Sequence, residues 1–553
     1  DGTSTSDRAK IAVSNCNLEV SADEFSSAWV VSGTGAGGGT AGVGGALSVG
    51  VNASTTQARI GDYTETDAAG TTSVTANSTE NVNSVAIAGG GGGAAGVVGS
   101  VSVDVVVSKT EAGIGEHAKV NQNAAITSAD QSVNVSATDR VISVAAAGSG
   151  AGGGAAGVGG SLAVTVALNT TSAYIDDSAE VSAAKDVGVH AASDKYVNSA
   201  TFAGTGGGAA GVAGGVSILA IGSLFDSDAK SGLQSTDSDG KSTTTQAKAD
   251  KATGSSQVGS ALGSSKQSTE TKGVLDSKMS KLAVSGAMSD SADVPLKNTQ
   301  AFIGYGAKVK AGRDVTVSAK DTTLAINANG AGAGGGAAGV AGSLGVTLLH
   351  DSAEAGVRNG AKVDAGRVLS VQAETEETVV NVGVTGYGGG AAGVGGSAAV
   401  NVVTSTTSAF IGDADINQAA TTSTERSVEV TADSNSNLIA VAGSGGGAGA
   451  AAVGGVLNVN TLAKKTTALI GEGATVAADD NVIVDATSAQ NIISAGISIQ
   501  GAGAAAVGGA ATVNVVANTT EAYIGSARDD ATKTAAAIDS DGNVVVAASD
   551  DTL

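Results

Sequence analysis

Apolar and polar positions alternate along most of the chain. Ser161-Leu-Ala-Val-Thr-Val-Ala167 places Leu162, Val164 and Val166 on one side of an extended segment, and Ser132–Ser136 and Asn543–Ser549 repeat the pattern. A period of two carried by β-branched residues predicts strands. Runs of Gly and Ala separate the alternating segments. A glycine inside a helix costs about 1 kcal/mol relative to alanine, so Gly triplets argue against helix. Val and Ile are expected to line a core, with Thr, Ser, Asn and Asp outward for solubility.

The pattern is periodic. A Gly/Ala cluster recurs eight times around a valine: Val43, Val97, Val158, Val212, Val340, Val394, Val453 and Val507. An A-x-I-G-[DE] element or a relative recurs as often, on Ile60, Ile114, Ile175, Ile303, Val357, Ile411, Ile470 and Ile524. From valine to the following member of the second series is 17 residues in seven cases, and 91 from Val212 to Ile303. The return leg is 37 residues in five cases, 44 from Ile114 and 42 from Ile411. The period is therefore 54, with small insertions in one leg and one of 74 in the other. Constant spacing indicates stacked, locked positions, and variable spacing a loop that faces solvent.

These features predict an all-β fold, a parallel β-solenoid (β-helix) of eight repeats of about 54 residues with one polar insertion. Solenoid repeats would occupy 1–225 and 301–553, and the insertion 226–300. Fifty-four residues divide into three coils of about 18, which would give a rod of very roughly 115 Å. The rival is one wide coil per repeat, stacking each Gly cluster on the next; three coils is the preferred geometry. The insertion is rich in Ser, Thr and Lys, holds the only proline, Pro295, and is expected to be part disordered with a short helix over Val274–Met288. Its two readings are a solvated loop and a partner-binding or inter-subunit arm.

Composition narrows the function. Glycine numbers 84 of 553 residues, there are 12 aromatics and one cysteine, and the net charge is −23. One cysteine excludes a disulfide scaffold. The acidity excludes a nucleic-acid partner, because phosphates would find few cations. The Gly runs match neither a P-loop nor a dinucleotide fingerprint, and read as places of close backbone approach. Residues 141–175 and 378–412 carry no Asp, Glu, Lys or Arg. A spanning helix needs about 20 mostly apolar residues, and here Gly, Ser, Thr and Asn interrupt them. They are read as buried solenoid core, and membrane insertion is not the expectation.

Catalytic, cofactor and metal residues are not expected. His117, His190 and His350 lie in different repeats without ligand spacing, and Cys16 is expected to be a small buried thiol. Asp176-Asp177 and Asp539-x-Asp541-Gly542 are the only hints of a Ca²⁺ site, and the second lacks the terminal Glu of a Ca²⁺ loop. Four of the eight residues preceding the second repeat position are aromatic (Tyr174, Phe302, Phe410 and Tyr523). They predict a broken aromatic stripe that stacks on the coil, with carbohydrate adhesion as the sharper alternative.

The succession G-G-G-A-A-G-V-G-G-S-x-x-V-x-V, T-T-x-A-x-I-G-[DE]-x-A-x-V and V-x-V-x-A resembles repeats of very large bacterial exoproteins, the leukotoxin-like filamentous adhesins, similar in style to filamentous haemagglutinin. The resemblance spans nearly all the chain except the insertion. It implies secretion, a β-solenoid stalk and adhesion or matrix roles, and carries over no catalytic residue. The chain starts and stops inside a repeat with no evident cap, so a longer array or end-to-end stacking of subunits is expected. Together these give an extracellular or cell-surface bacterial structural protein, a fibre or adhesin stalk, partnered by itself and by cell surface or matrix. The alternatives are a glycan- or host-binding module and a membrane-active toxin segment.

Overall fold

The computed structural model describes residues 8–126, 128–222, 234–236, 242–244, 298–419, 425–525 and 535–553. The chain divides into two compact units: Asp1–Gly222 with Lys297–Leu553, and Ser223–Leu296. In the second, Gln234–Thr236 pairs antiparallel with Ser242–Thr244. Of the rest of the expected polar excursion, 298–300 belong to the first unit, where Thr299 starts a strand; the remainder, including the helix over 274–288, lies outside the described residues.

The first unit is a parallel β-solenoid of three sheets. One repeat contributes a short strand, a long strand and a second long strand, as in Lys308–Ala311, Val315–Gly335 and Ala338–Val357. The next repeat lies directly on it: Val309 pairs with Val363, Val317 with Val371 and Val340 with Val394. Each repeat thus closes one wide coil, not three of 18 residues. The reason is that the alternation runs unbroken for 20 or 21 residues, so the chain turns only at a Gly-Ala pair (Gly39-Thr40 in the first coil) and at two corners. Each repeat therefore advances the stack by one strand spacing, ~4.8 Å, and nine strands make a ladder of roughly 40 Å.

Glycine makes the narrow turn between the long strands. Gly154, Gly208, Gly336 and Gly390 stack there, and a Cβ on Gly154 would come within 2.1 Å of the Gly93 carbonyl oxygen. The corner beyond the second long strand is held by side chains reaching one coil along. Asp62, Asp177 and Asn359 accept the backbone N–H of Glu116, Tyr305 and Asp413 at 2.8–3.0 Å.

Between the three sheets lies an apolar core of stacked ranks, one residue per coil. The Val74 rank continues through Val135, Val189, Val317, Val371, Val430 and Val484. It meets the Ile60 rank and ranks of alanine in a single cluster. Here Ser and Thr of the long strands face outward as expected, joined by Lys and Glu. Lys320 and Glu374, for example, pair on the surface at 2.8 Å.

Towards the Gly turn the two long sheets pack on each other alone, and the orientation reverses. Thr165 is fully buried while Leu162 and Val166 are half-buried on the outer face. Val164 shares their parity, so the apolar side of this strand points away from the sheet interface. The interior of this arm is mixed, with polar ranks set among buried Val, Leu and Ala. Asn401 donates to Asn460 at 2.7 Å and Asn460 to Asn514 at 2.8 Å, an amide ladder along the stack. Ser217 and Ser199 meet at 2.6 Å between the sheets. The expectation of an apolar interior with Ser, Thr and Asn outward is therefore corrected for the arm. Small hydroxyl and amide groups hydrogen-bond across the gap beside a narrow apolar belt that includes Val197, Leu219, Leu349 and Val379.

The insertions sit at two places. The large one interrupts a strand of the second long sheet. Ala210–Gly222 ends with Gly222 opposite His350, and Thr299–Ile303 resumes with Thr299 opposite Ala353. Gly222 ends the strand with φ +84°. The small ones follow the short strands Lys119–Val120 and Asp415–Ile416. In both, an asparagine in the left-handed region (Asn121, φ 57°; Asn417, φ 56°) closes the gap with its side chain. Asn121 Oδ1 accepts the Ala68 N–H at 2.9 Å, and Asn417 Oδ1 the Ala365 N–H at 2.8 Å.

Candidate functional site

The sixteen repeat positions form two ranks of opposite orientation. The Ile60 rank points inward, with Ile114, Ile175, Ile303, Val357, Ile411 and Ile470 fully buried. The Val43 rank points outward. Val43 is 61% exposed, Val340 40% and Val507 60%. Its outer face belongs to the second long sheet. Next to it runs an outward glycine rank from Gly45 to Gly509, followed by the apolar ranks that begin at Leu47, Val49 and Val51.

Charge is confined to the base of the arm. Charged side chains that enter the interior form a buried seam between the apolar core and the apolar belt at the base of the arm. The Lys195 ammonium donates to Asp321 Oδ1 at 2.5 Å and Asp351 Oδ1 at 2.6 Å, with all three side chains excluded from solvent. Thr299 and Thr323 donate to the other carboxylate oxygens. Burial works against the Lys195 charge, but the two carboxylates outweigh it and hold its pKa above the ordinary lysine value. Burial, then the charge of Asp351, pushes Asp321 up to about 7. Lys464 and Glu377 form a looser buried pair at 3.6 Å. Burial lowers the pKa of the first and raises that of the second, so both lean towards their neutral forms.

Three buried carboxylates here, Asp139, Glu80 and Asp104, form no ion pair with a lysine among the described residues. Asp139 is pushed up to about 8 by burial and then by the neighbouring Glu80, and accepts from Ser108 at 2.7 Å. Asp104 is pushed up to about 6 by burial, against a hydrogen bond from Ser143 at 3.3 Å. None of these residues was singled out by the sequence reading. Their signal was parity: Asp104 and Asp351 share the alternation phase of the Ser, Thr and Asn that fill the arm.

The other candidates resolve into structure. Tyr174 and Phe302 stack on adjacent coils with centroids 5.5 Å apart, and Arg358 lies 3.6 Å over the Phe302 ring. The Phe410 and Tyr174 rings lie where a Cβ on Gly356 or Gly113 would stand. His117 stacks on Tyr63, His190 bonds Ser318 at 2.8 Å, and His350 bonds Thr404 at 2.7 Å. Cys16 is exposed, contrary to expectation, because it sits in the corner turn ahead of the strand Leu18–Gly38 rather than on a strand. Asp177 is engaged at its corner, and Asp176 accepts the Asp177 N–H at 2.9 Å. Among the described residues no group of three His, Cys, Asp or Glu side chains is placed to hold a metal ion, and no helix is long and apolar enough to cross a membrane. Comparison of the chain with protein-family models, with curated proteins and with solved structures yields no match.

Proposed function

We propose that this chain is a structural repeat protein, a stiff β-solenoid scaffold of an extracellular bacterial fibre or adhesin stalk. The observation that carries the reading is the unbroken register of the first long sheet. Nine strands pair in parallel along one axis, each coil offering the next the same backbone edge. Such a ladder resists extension along its axis through all its strands together and lengthens by adding identical coils. Motif resemblance to filamentous adhesins supports secretion and a surface role. The reading is tested by expressing the parent gene in its bacterium and locating the protein by immuno-electron microscopy. Label on surface fibres is expected, and label confined to the cytoplasm overturns it.

A further inference from the structure

The arm is built against the usual order of burial. Its interior holds hydrogen-bonded Ser, Thr and Asn, and some of these atoms, such as Thr165 Oγ1 and both amide atoms of Asn329, have no partner. Apolar side chains share that interior, and they also stand on the outside. On the second long sheet the outward ranks from Ala41 to Val51 contain only Ala, Val, Gly, Leu and Ile apart from Thr461. Eleven residues along the strand by eight strands across is roughly 36 by 38 Å, about 1,400 Å². The largest apolar patch of a typical soluble monomer is about 300–600 Å².

The face has relief. The Val43 rank is a ridge, and the glycine rank beside it is a groove of the same pitch. The glycines at the turn are forced by the fold, since a Cβ on Gly96 would lie 2.3 Å from the Gly152 carbonyl oxygen. Most of those in the groove are not: a Cβ on Gly99, Gly214 or Gly509 would meet nothing within 4 Å, and one on Gly342 only an oxygen at 3.9 Å, whereas one on Gly396 would lie 3.1 Å from the Gly455 carbonyl oxygen. A groove one side chain deep, repeating at ~4.8 Å, fits a ridge of β-branched residues that repeats at the same interval. The Val43 rank of another copy is such a ridge.

We infer that this face is an interface between two copies of the chain, packed sheet to sheet with the valine ridge of each in the glycine groove of the other. Two such faces would cover roughly 2,800 Å² in total, more than the ~1,600 Å² of a standard interface and within the range of obligate dimers. The contact is isologous, because ridge and groove lie on the same surface. It is lateral, at right angles to the stacking axis, and does not rest on the stalk reading.

Sedimentation velocity of the 553-residue chain at micromolar concentration tests it, with Val340→Lys and the double variant Gly214→Val/Gly342→Val alongside. Wild type is expected to sediment as a dimer. Each variant is expected to weaken association at least tenfold, and the glycine variant to keep its unfolding midpoint, since its added side chains enter open space. Flotation with phosphatidylcholine vesicles is the second arm. A wild-type chain that stays monomeric overturns the inference, whether it floats with the vesicles or not, and so does a dimer that both variants leave intact.

Discussion

Lys195 and Asp351 meet at 2.6 Å between the two long sheets, at the coil where the second sheet's strand is broken by the insertion. Asp351 pairs with Ser405 in the next coil, and Asn169 occupies the same rank two coils earlier. In the coil between them the described strand ends at Gly222 and resumes at Thr299. The Lys195 side chain reaches Asp351 from the opposite sheet. The Asn298 amide donates there as well, at 3.3 Å to Asp351 Oδ1.

Removing the ammonium leaves two carboxylates facing each other out of water. Lys195→Met is expected to destabilise the solenoid by about 3–5 kcal/mol, the usual consequence of breaking a buried ion pair. Adding Asp321→Asn and Asp351→Asn should restore much of it. Denaturant midpoints of the single and triple variants check this; equal midpoints would show that the pair is not buried as described.

Stability should fall as pH rises from about 5 to 8.5. Asp139, Asp321 and Asp104 have folded-state pKa values of about 8, 7 and 6, against 3.8 for the free group. The folded chain therefore holds more protons than the unfolded chain between these limits, and raising pH favours unfolding. Each proton contributes at most about 1.4 kcal/mol per pH unit. His190 opposes the trend below 6.5, because burial lowers its pKa. Asp314 and Asp479, whose pKa values are lowered by Arg367 and Arg426, act below 3.8, outside the window. Urea titrations across this range, repeated with Asp139→Asn, should show a shallower slope in the variant.

The two kinds of glycine separate cleanly. Gly154→Ala drives a methyl into the Gly93 carbonyl and is expected to cost about 1–3 kcal/mol or more as overpacking. A Cβ on Gly332, on the outer face of the first long sheet, meets nothing within 4 Å, so Gly332→Ala should be neutral or slightly stabilising. Thermal unfolding of the two variants in parallel decides it.

At the enlarged corner, Asn417 combines a left-handed backbone with a side chain that satisfies a buried N–H. Asn417→Gly keeps the backbone and loses the bond, at about 1–3 kcal/mol for the unpaired Ala365 amide. Asn417→Ala loses both and should be worse by a further ~1 kcal/mol. The order wild type, Gly, Ala in unfolding midpoint is the expected readout.

Much of the fold was legible in the chain. The 54-residue period, the size of the large insertion and the stacking of the two repeat ranks follow from spacing alone; that one rank faces inward and the other outward does not. The loop in the variable leg, which falls at the corners of Asn121 and Asn417, follows from spacing too. Coil size was not legible, because 54 is divisible by three and the Gly runs look like extra turns, whereas only Gly39 and its successors turn the chain. Nor was the reversed arm. Val164 and Thr165 are equally compatible with either face, and hydrophobicity argues for the wrong one. The charges at the arm's margin carried the missing information, since Asp351 is in phase with the Ser and Asn and not with the Val.

The central claim is that one repeat makes one coil. Asn77 and Thr487 lie on the same outward rank of the first long sheet, six coils apart. Spin labels at these two positions, with Cys16 replaced by Ser, measure the advance per repeat by double electron–electron resonance. The account predicts a distance of about 29 Å, six spacings of ~4.8 Å; a distance near 86 Å, three spacings per repeat, would contradict it.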